Sequence, residues 1–357
     1  MTLLLSGSFH KDLLNSIDPS LVCYCHHFDC KINEMDVHIP SLKNKQYLIL
    51  ENVKILPVVD RVKFFNILQG SSIRVLVLRS MNLTNDCLRV IGDANLTLDE
   101  LDLSYNKFND LGVEFIKKYI PKLTSLLISK NPIKDGFSII MQHLTGKLKV
   151  LNVASCNIAS STFIRFFDIL ETTNIKVLDI SDNSVGVKAF KKLKSILPNT
   201  KLKQLSFGLV DDACLNSDLK NKPGFMEIVD RVGIINLNFN RVCLTDNLID
   251  QIAASCNTWT SIKTISIDCG YWSLNIFQVR KLLQRWTPAS SLSRFHLLNY
   301  FQVDYPIYQM ILRHEEYIQK AHLICAILSA SVIKRVGIQS MASTLPIDLV
   351  RVLYDFL

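Results

Sequence analysis

The apolar residues of this chain recur in one pattern: apolar, two residues, apolar, one residue, apolar, and then often Asn or Cys three positions later. In the clearest copy, Leu98, Leu101 and Leu103 are followed by Asn106. Copies return in phase every 25 to 30 residues or so, which predicts a repeat architecture rather than separate globular domains. The copies begin at Ile73, Leu98, Leu123, Leu148, Ile175, Leu202, Val232, Ile262 and Leu292.

Each copy predicts a short strand, a sharp turn and a return segment. The alternating apolar residues of the strand point inward, and the residues between them face outward. An Asn buried at the turn can satisfy backbone groups that the turn leaves unpaired. In the return segments, apolar residues three or four positions apart predict helices over residues 110–120, 162–170 and 187–197.

This pattern is that of the leucine-rich repeat, and long units with one strand and one helix resemble the ribonuclease-inhibitor subfamily. The resemblance implies an α/β solenoid (a horseshoe) with a parallel β-sheet on the concave face and helices on the convex face. Because each unit buries its apolar edge only against its neighbours, both ends need caps. We therefore predict an irregular N-terminal cap at residues 1–44, about nine or ten repeats at 45–303, and a helical C-terminal cap at 304–357.

The outward strand positions predict which residues line the concave face. Asp outnumbers Lys and Arg in this row, so we expect a protein partner with a basic patch. Tyr105 and Phe239 are the expected aromatic anchors, because aromatic residues are frequent at binding hot spots. The alternative is that Asp and Ser at these positions serve the fold. The predicted partner-binding residues are Arg79, Asp102, Tyr105, Lys130, Asn152, Asp179, Asp182, Asn238, Phe239, Asp268 and His296.

Composition and charge exclude some classes of function. The 357 residues carry a formal net charge of +8, with a Lys cluster between Lys188 and Lys203. No aromatic stacking pattern interleaves these lysines and no nucleic-acid motif appears, so a nucleic-acid partner is not expected. The N-terminus lacks the pattern of a signal peptide, and the uncharged run Ala321–Ile333 is shorter than the roughly 20 residues of a membrane span. The ten Cys lack paired spacing, which indicates reduced thiols in a cytoplasm, of the producing cell or of a host.

Two segments outside the repeats contain candidate chemistry. Cys23, Cys25, His26, His27 and Cys30 are residue types that ligate zinc, yet their spacing matches no common zinc pattern. Zinc binding and a thiol-rich cap both stay open, and no cofactor is expected. Near the C-terminus, Leu345–Leu357 resembles the opening of an F-box, in that Leu-Pro is followed by an acidic residue and an amphipathic helix. This segment is either a docking helix or a cap.

Signatures of enzymes are poor, so we predict a non-enzymatic protein–protein interaction scaffold. His314 and Glu315 do not form a His-Glu-x-x-His motif with His322, and no phosphate-binding glycine loop occurs. Free-standing repeat proteins of this type resemble both intracellular regulators and the effectors that intracellular bacteria deliver into host cells, and we favour an effector. The alternatives are a ubiquitin-ligase substrate adaptor that uses the F-box-like helix and a small-GTPase regulator. The oligomeric state stays open.

The strand register also predicts which substitutions are costly. Leu178 is inward, so Leu178→Ala should cost about 2–5 kcal/mol. Ser181 is outward, so Ser181→Ala should cost little.

Overall fold

The structure is a computed structural model, and it divides the chain into two compact units, Met1–Val210 and Asp211–Leu357. The residues that the structure describes are 22–26, 29–31, 44–56, 65–208, 225–240, 246–256, 258–268, 276–287, 291–298 and 309–320.

The first unit is built on a parallel sheet to which each repeat adds one strand. Its strands are β1 (Val22–His26), β2 (Asp29–Lys31), β3 (Tyr47–Glu51), β4 (Lys54–Leu56), β5 (Val75–Arg79), β6 (Glu100–Asp102), β7 (Ser125–Leu127), β8 (Val150–Asn152), β9 (Val177–Asp179) and β10 (Gln204–Gly208). The order in space is β1-β3-β5-β6-β7-β8-β9-β10, while β2 and β4 pair separately. Strand order follows sequence order, which confirms the predicted parallel sheet.

Helices alternate with these strands, as predicted. They are α1 (Asn85–Asp93), α2 (Asp110–Ile116), α3 (Gly136–His143), α4 (Ser160–Leu170) and α5 (Gly186–Ile196), with short 3-10 turns at Phe65–Leu68, Ile120–Lys122 and Leu197–Asn199. The helix expected over 110–120 ends at Ile116, before the turn that contains Pro121. Neighbouring helices approach closely at Gly136, where an added Cβ would lie 2.7 Å from Cα of Asp110.

The core of the first unit lies between the sheet and the helices. The inward strand residues, such as Leu101 and Leu178, are fully buried. Helices α3 and α4 add an aromatic cluster in which the ring centroids of Phe137 and Phe166 are 5.1 Å apart and those of Phe163 and Phe167 are 5.9 Å apart. Burial of the rings and leucines provides the main stabilisation of such a unit.

The second unit repeats the same alternation. Its elements are α6 (Phe225–Val232), β11 (Asn236–Asn240), α7 (Asp246–Ser255), β12 (Thr264–Asp268), α8 (Ile276–Arg285) and β13 (Arg294–Leu298). The three strands are parallel and adjacent in sequence order, and residues 309–320 are helical. Trp286 is buried, and its indole N–H donates to the carbonyl of Leu292 at 2.9 Å.

The predicted repeat register is wrong at one place. Strand β11 pairs Leu237 with Ile265 and Phe239 with Ile267, so this repeat begins at Ile234 rather than at Val232. Val232, Ile234 and Ile235 are all apolar, and the pattern alone did not separate the two registers. As a result, Phe239 is fully buried and is not the outward aromatic anchor that we expected.

The segment predicted as an irregular N-terminal cap contains strands. β1 pairs with β3 in register from Val22 opposite Tyr47 to His26 opposite Glu51, so the sheet begins before residue 45. Cys23, Cys25 and His26 lie in β1, and Cys30 lies in β2. The remaining candidate zinc ligand, His27, and the F-box-like segment Leu345–Leu357 lie outside the described residues.

The described residues include no candidate for a membrane span or for a metal site. Their helices include none that is both long and apolar enough to cross a membrane. Their side chains form no group of three or more His, Cys, Asp or Glu that could hold a metal ion.

Candidate protein-interaction surface

The turns after β3, β5, β6, β7, β8 and β9 each contain a residue with a left-handed backbone, and these residues form a row across the first unit. Their φ angles lie between 53° and 61°. The backbone N–H of Tyr105 donates to the carbonyl of Ser129 at 2.8 Å, and that of Lys130 donates to Ala154 at 2.8 Å. Because each turn is hydrogen-bonded to the next in this way, these residues lie side by side at the ends of the strands. The row consists of Asn52, Ser80, Tyr105, Lys130, Ser155 and Asp182.

The buried Asn106 acts as predicted for the Asn of a turn. Oδ1 of Asn106 accepts from the backbone N–H groups of Met81 and Leu83, both at 3.0 Å. Its Nδ2 donates to the carbonyls of Leu78 and Leu103 at 2.7 and 2.8 Å. One side chain therefore joins two repeats and satisfies four buried backbone groups.

Three of the predicted partner-binding residues are buried and serve the fold. Asp102, Asn152 and Asp179 lie on the outer face of the sheet, the face away from the helices, but are 3%, 6% and 7% exposed. Each side chain turns back to accept the backbone N–H two residues later, at 2.8, 3.0 and 3.0 Å. This local hydrogen bond is the usual behaviour of Asp and Asn at turns. These three side chains therefore offer little surface to a partner.

Asp179 is the extreme case among these residues. Burial raises the pKa of its carboxyl from 3.8 to about 6, and the charge of Asp182 raises it too, although hydrogen bonds from Ser181 lower it. The hydroxyl of Ser181 donates to Oδ1 of Asp179 at 2.6 Å and is itself buried. Ser181, which we expected to be an exposed and replaceable residue, is thus part of a buried hydrogen-bond network.

Three other predicted residues meet around one exposed aromatic ring. Tyr105 is 43% exposed, with the guanidinium carbon of Arg79 5.2 Å from its ring centroid and Nζ of Lys130 4.6 Å from it. Both distances are within the range of cation–π attraction. Arg79, Tyr105 and Lys130, which come from three successive repeats, are called the Tyr105 cluster below.

Glu51 adjoins this cluster, and sequence analysis did not select it. Its Oε1 lies 3.9 Å from Nη1 of Arg79, and the strand register places the two residues opposite each other. Glu51 belongs to a degenerate first repeat that begins near Leu48. Aligning that repeat with the next one would have identified the pair.

The remaining predicted residues lie apart from the Tyr105 cluster or in the second unit. Asp182 is half-buried and accepts the hydroxyl of Ser155 at 3.1 Å. Asn238 is half-buried on β11. Asp268 and His296 lie in β12 and β13, but their side chains are not among those that the structure describes.

The acid–base residues of the last described helix have structural contacts. Nε2 of His314 lies 2.7 Å from the carbonyl of Trp286, and burial lowers the pKa of this imidazole. The carboxylate of Glu315 accepts the backbone N–H of Phe295. Both side chains therefore bind backbone groups of the preceding repeat.

Comparison with known proteins agrees with the repeat geometry. A family model described as Leucine Rich repeat matches residues 94–117, which include β6, the Tyr105 turn and α2. No curated protein matches the chain. With strands and helices alternating over both units, the match shows that the chain has the leucine-rich repeat fold.

Proposed function

We propose that this chain is a non-enzymatic protein–protein interaction scaffold whose partner binds the outer sheet face of the first unit, centred on the Tyr105 cluster. Leucine-rich repeats are generally protein-interaction modules, and stacked repeats provide extended binding surfaces. Tyr105 and Lys130, which follow their strands, are exposed on this face, whereas Asp102, Asn152 and Asp179 within the strands are buried.

The observation that carries the proposal is the backbone conformation of Tyr105. Its φ of 61° is unfavourable for a bulky residue, at a cost on the order of 1–2 kcal/mol. Asn52 occupies the equivalent turn of another repeat with φ 55°, and Asn tolerates this conformation well. An exposed Tyr at such a position, held between two cations, contributes little to the core but is suited to contact a partner.

Affinity capture from eukaryotic cytosol tests the proposal. Tyr105→Asn removes the ring and places at this turn the residue that Asn52 provides elsewhere, so folding should be retained. Leu111→Ala is the matched control, because Leu111 is 52% exposed on helix α2 of the same repeat. We expect Tyr105→Asn to weaken capture by about tenfold or more, as at a binding hot spot, and Leu111→Ala to leave it unchanged. Capture of the same partner at wild-type level by a folded Tyr105→Asn protein would falsify the proposal.

A basic patch on the partner stays a prediction. It depended on Asp102, Asp179, Asp182 and Asp268, and the first two are buried. Asp182 is the described member of this set that a basic patch could contact. If the partner is basic, Asp182→Lys should weaken its binding, and the effect should diminish as salt is added.

The identity of the captured protein separates the finer hypotheses. A host-cell protein would support a bacterial effector, and a small GTPase whose hydrolysis rate changes would support a regulator. A ubiquitin-ligase adaptor that is lost when residues 345–357 are removed would support a substrate adaptor. Of these, the host-targeted effector is the one that we favour, because free-standing repeat proteins of this type resemble such effectors.

A further inference from the structure

A row of lysines lies at the start of the strands in the first unit, opposite the end that displays Tyr105. Lys149, Lys176 and Lys203 each stand one residue before a strand, β8, β9 and β10 respectively, and all three are exposed. The backbone N–H of Lys176 donates to the carbonyl of Lys149 at 2.8 Å, and that of Lys203 donates to Lys176 at 2.7 Å. Since adjacent strands are about 4.8 Å apart, the lysines occupy directly neighbouring positions.

Earlier in the same row, the chain alternates opposite charges instead. Nε of Arg74 donates to Oδ2 of Asp99 at 2.7 Å, and these two residues stand one residue before the neighbouring strands β5 and β6. Like charges directly opposite each other destabilise a sheet. Within the described part of the chain, neither Lys149 nor Lys176 has a carboxylate at ion-pair distance. The neighbouring charges of Lys149 and Lys176 therefore lower stability without a compensating carboxylate among the described residues.

Three further lysines widen the row into a stripe. Lys122, Lys147 and Lys201 are exposed just before the first apolar residue of their repeats. Nζ of Lys147 lies 3.3 Å from Oδ1 of Asp99, and the ammonium of Lys201 donates to the side chain of Asn174. The basic edge is defined as Lys122, Lys147, Lys149, Lys176, Lys201 and Lys203.

We propose that the basic edge binds an extended acidic segment of a protein partner, at a site separate from the Tyr105 cluster. The stripe is only about two residue positions wide, which suits a single extended chain. Side chains on one face of such a chain recur about every 6.7 Å, and flexible Lys ammonium groups can follow that spacing.

The described surroundings of the stripe favour a polypeptide over a membrane or a nucleic acid. Insertion into a bilayer needs exposed apolar residues, and single-stranded nucleic acid binds by stacking on aromatic rings. Among the described residues, the large exposed apolar side chains of the first unit are at other places: Tyr105 follows its strand, Leu111 lies on α2 and Val187 lies on α5.

Fluorescence anisotropy with a labelled oligoglutamate peptide and the full chain tests this proposal. The test variant is Lys149→Gln/Lys176→Gln. The control is Lys118→Gln/Lys188→Gln, which changes the net charge equally at exposed lysines outside the stripe. We expect binding to weaken by about fivefold or more in the test variant and by less than about twofold in the control. The wild-type affinity should fall as salt is added, because exposed charges are screened.

Four outcomes would overturn the proposal. The first is equal weakening in both variants, which would show that binding follows net charge alone. The second is no binding of the peptide at physiological salt. The third is tighter binding of DNA of matched charge, or of phosphatidylserine vesicles, with the same loss in the test variant. The fourth is a lower melting temperature for the test variant than for the control, because removing neighbouring like charges should leave it equal or higher.

Discussion

At the scale of single residues, Asp179 combines a structural role with an unfavourable charge. Its carboxylate accepts the backbone N–H and the hydroxyl of Ser181, and it is almost completely buried. One repeat earlier, Asn152 makes the equivalent backbone contact without any charge. The acid is therefore not required for the turn itself, and its ionisation has a cost that depends on pH.

The pH dependence of stability follows from the raised pKa of Asp179, about 6 against 3.8. Between these values the folded chain binds more protons than the unfolded chain, so the free energy of unfolding falls as pH rises from about 4 to 6. Asp179→Asn should abolish this pH dependence. At pH 7 it should raise the free energy of unfolding by an amount on the order of 2 kcal/mol. Urea denaturation at pH 4, 5, 6 and 7 measures the effect.

The exposed Asp86 provides the control for this experiment. Its side chain is 74% exposed, so Asp86→Asn should keep the pH profile of the wild-type protein. A loss of stability at pH 7 in Asp179→Asn would contradict the prediction, because it would mean that the negative charge itself is needed.

Ser181 requires a revision of the substitution cost expected from strand register. The hydroxyl is buried and donates to a buried carboxylate, so Ser181→Ala should cost about 1–3 kcal/mol rather than nothing. Leu178→Ala should still cost about 2–5 kcal/mol, because that side chain is fully buried. Ser184 is exposed in the same repeat, and Ser184→Ala should change stability by less than about 0.5 kcal/mol. If the two serine variants unfold at the same urea concentration, the network around Asp179 contributes nothing.

At the scale of elements, the turns are joined by side chains that are not equivalent from repeat to repeat. Asn183 accepts from the backbone N–H of Cys156 and Ile158 at 3.0 and 3.1 Å and donates to the carbonyl of Val153 at 2.7 Å. Cys156 occupies the same position one repeat earlier, but its thiol only donates, to Ile128 and Ala154. The thiol is also a poor nucleophile, because burial raises its pKa to about 12.

This difference predicts unequal costs for the two turns. Asn183→Ala leaves two buried N–H groups without partners and should cost about 2–5 kcal/mol. Cys156→Ala removes only a weak donor and a small apolar volume, and should cost about 1–2 kcal/mol. Chemical denaturation gives the two values. Amide exchange should accelerate at Cys156 and Ile158 in Asn183→Ala, while equal exchange in both variants would argue against the assigned bonds.

At the scale of the whole molecule, the periodic positions were predictable and the local side-chain geometry was not. The inward residues, the parallel strand order and the helices of the first unit follow directly from the spacing of apolar residues. Phe239 was misplaced because three neighbouring apolar residues allowed two registers. The alternation of residues along a strand predicts which face of the sheet Asp102 lies on. It does not predict that the carboxylate of Asp102 folds back to accept the backbone N–H of Ser104 and is thereby buried.

The Tyr105 cluster shows what the repeat periodicity can and cannot predict. Arg79, Tyr105 and Lys130 were each selected as outward residues from their positions in separate repeats. Their meeting around one ring depends on side-chain lengths and rotamers, which a repeat pattern does not contain. The basic edge escaped selection for a different reason, since its lysines precede the strands and only the backbone ladder shows that they are adjacent.

The row of left-handed turn residues has a consequence for protein engineering. Asn, Ser, Tyr, Lys and Asp all occupy this position with nearly the same backbone. The hydrogen bonds that join Ser80, Tyr105 and Lys130 to the next turn use only main-chain atoms, so these three side chains can be exchanged without removing those bonds. A combinatorial library that varies residues 80, 105 and 130 would therefore change the displayed side chains while leaving the main-chain hydrogen bonds between the turns in place.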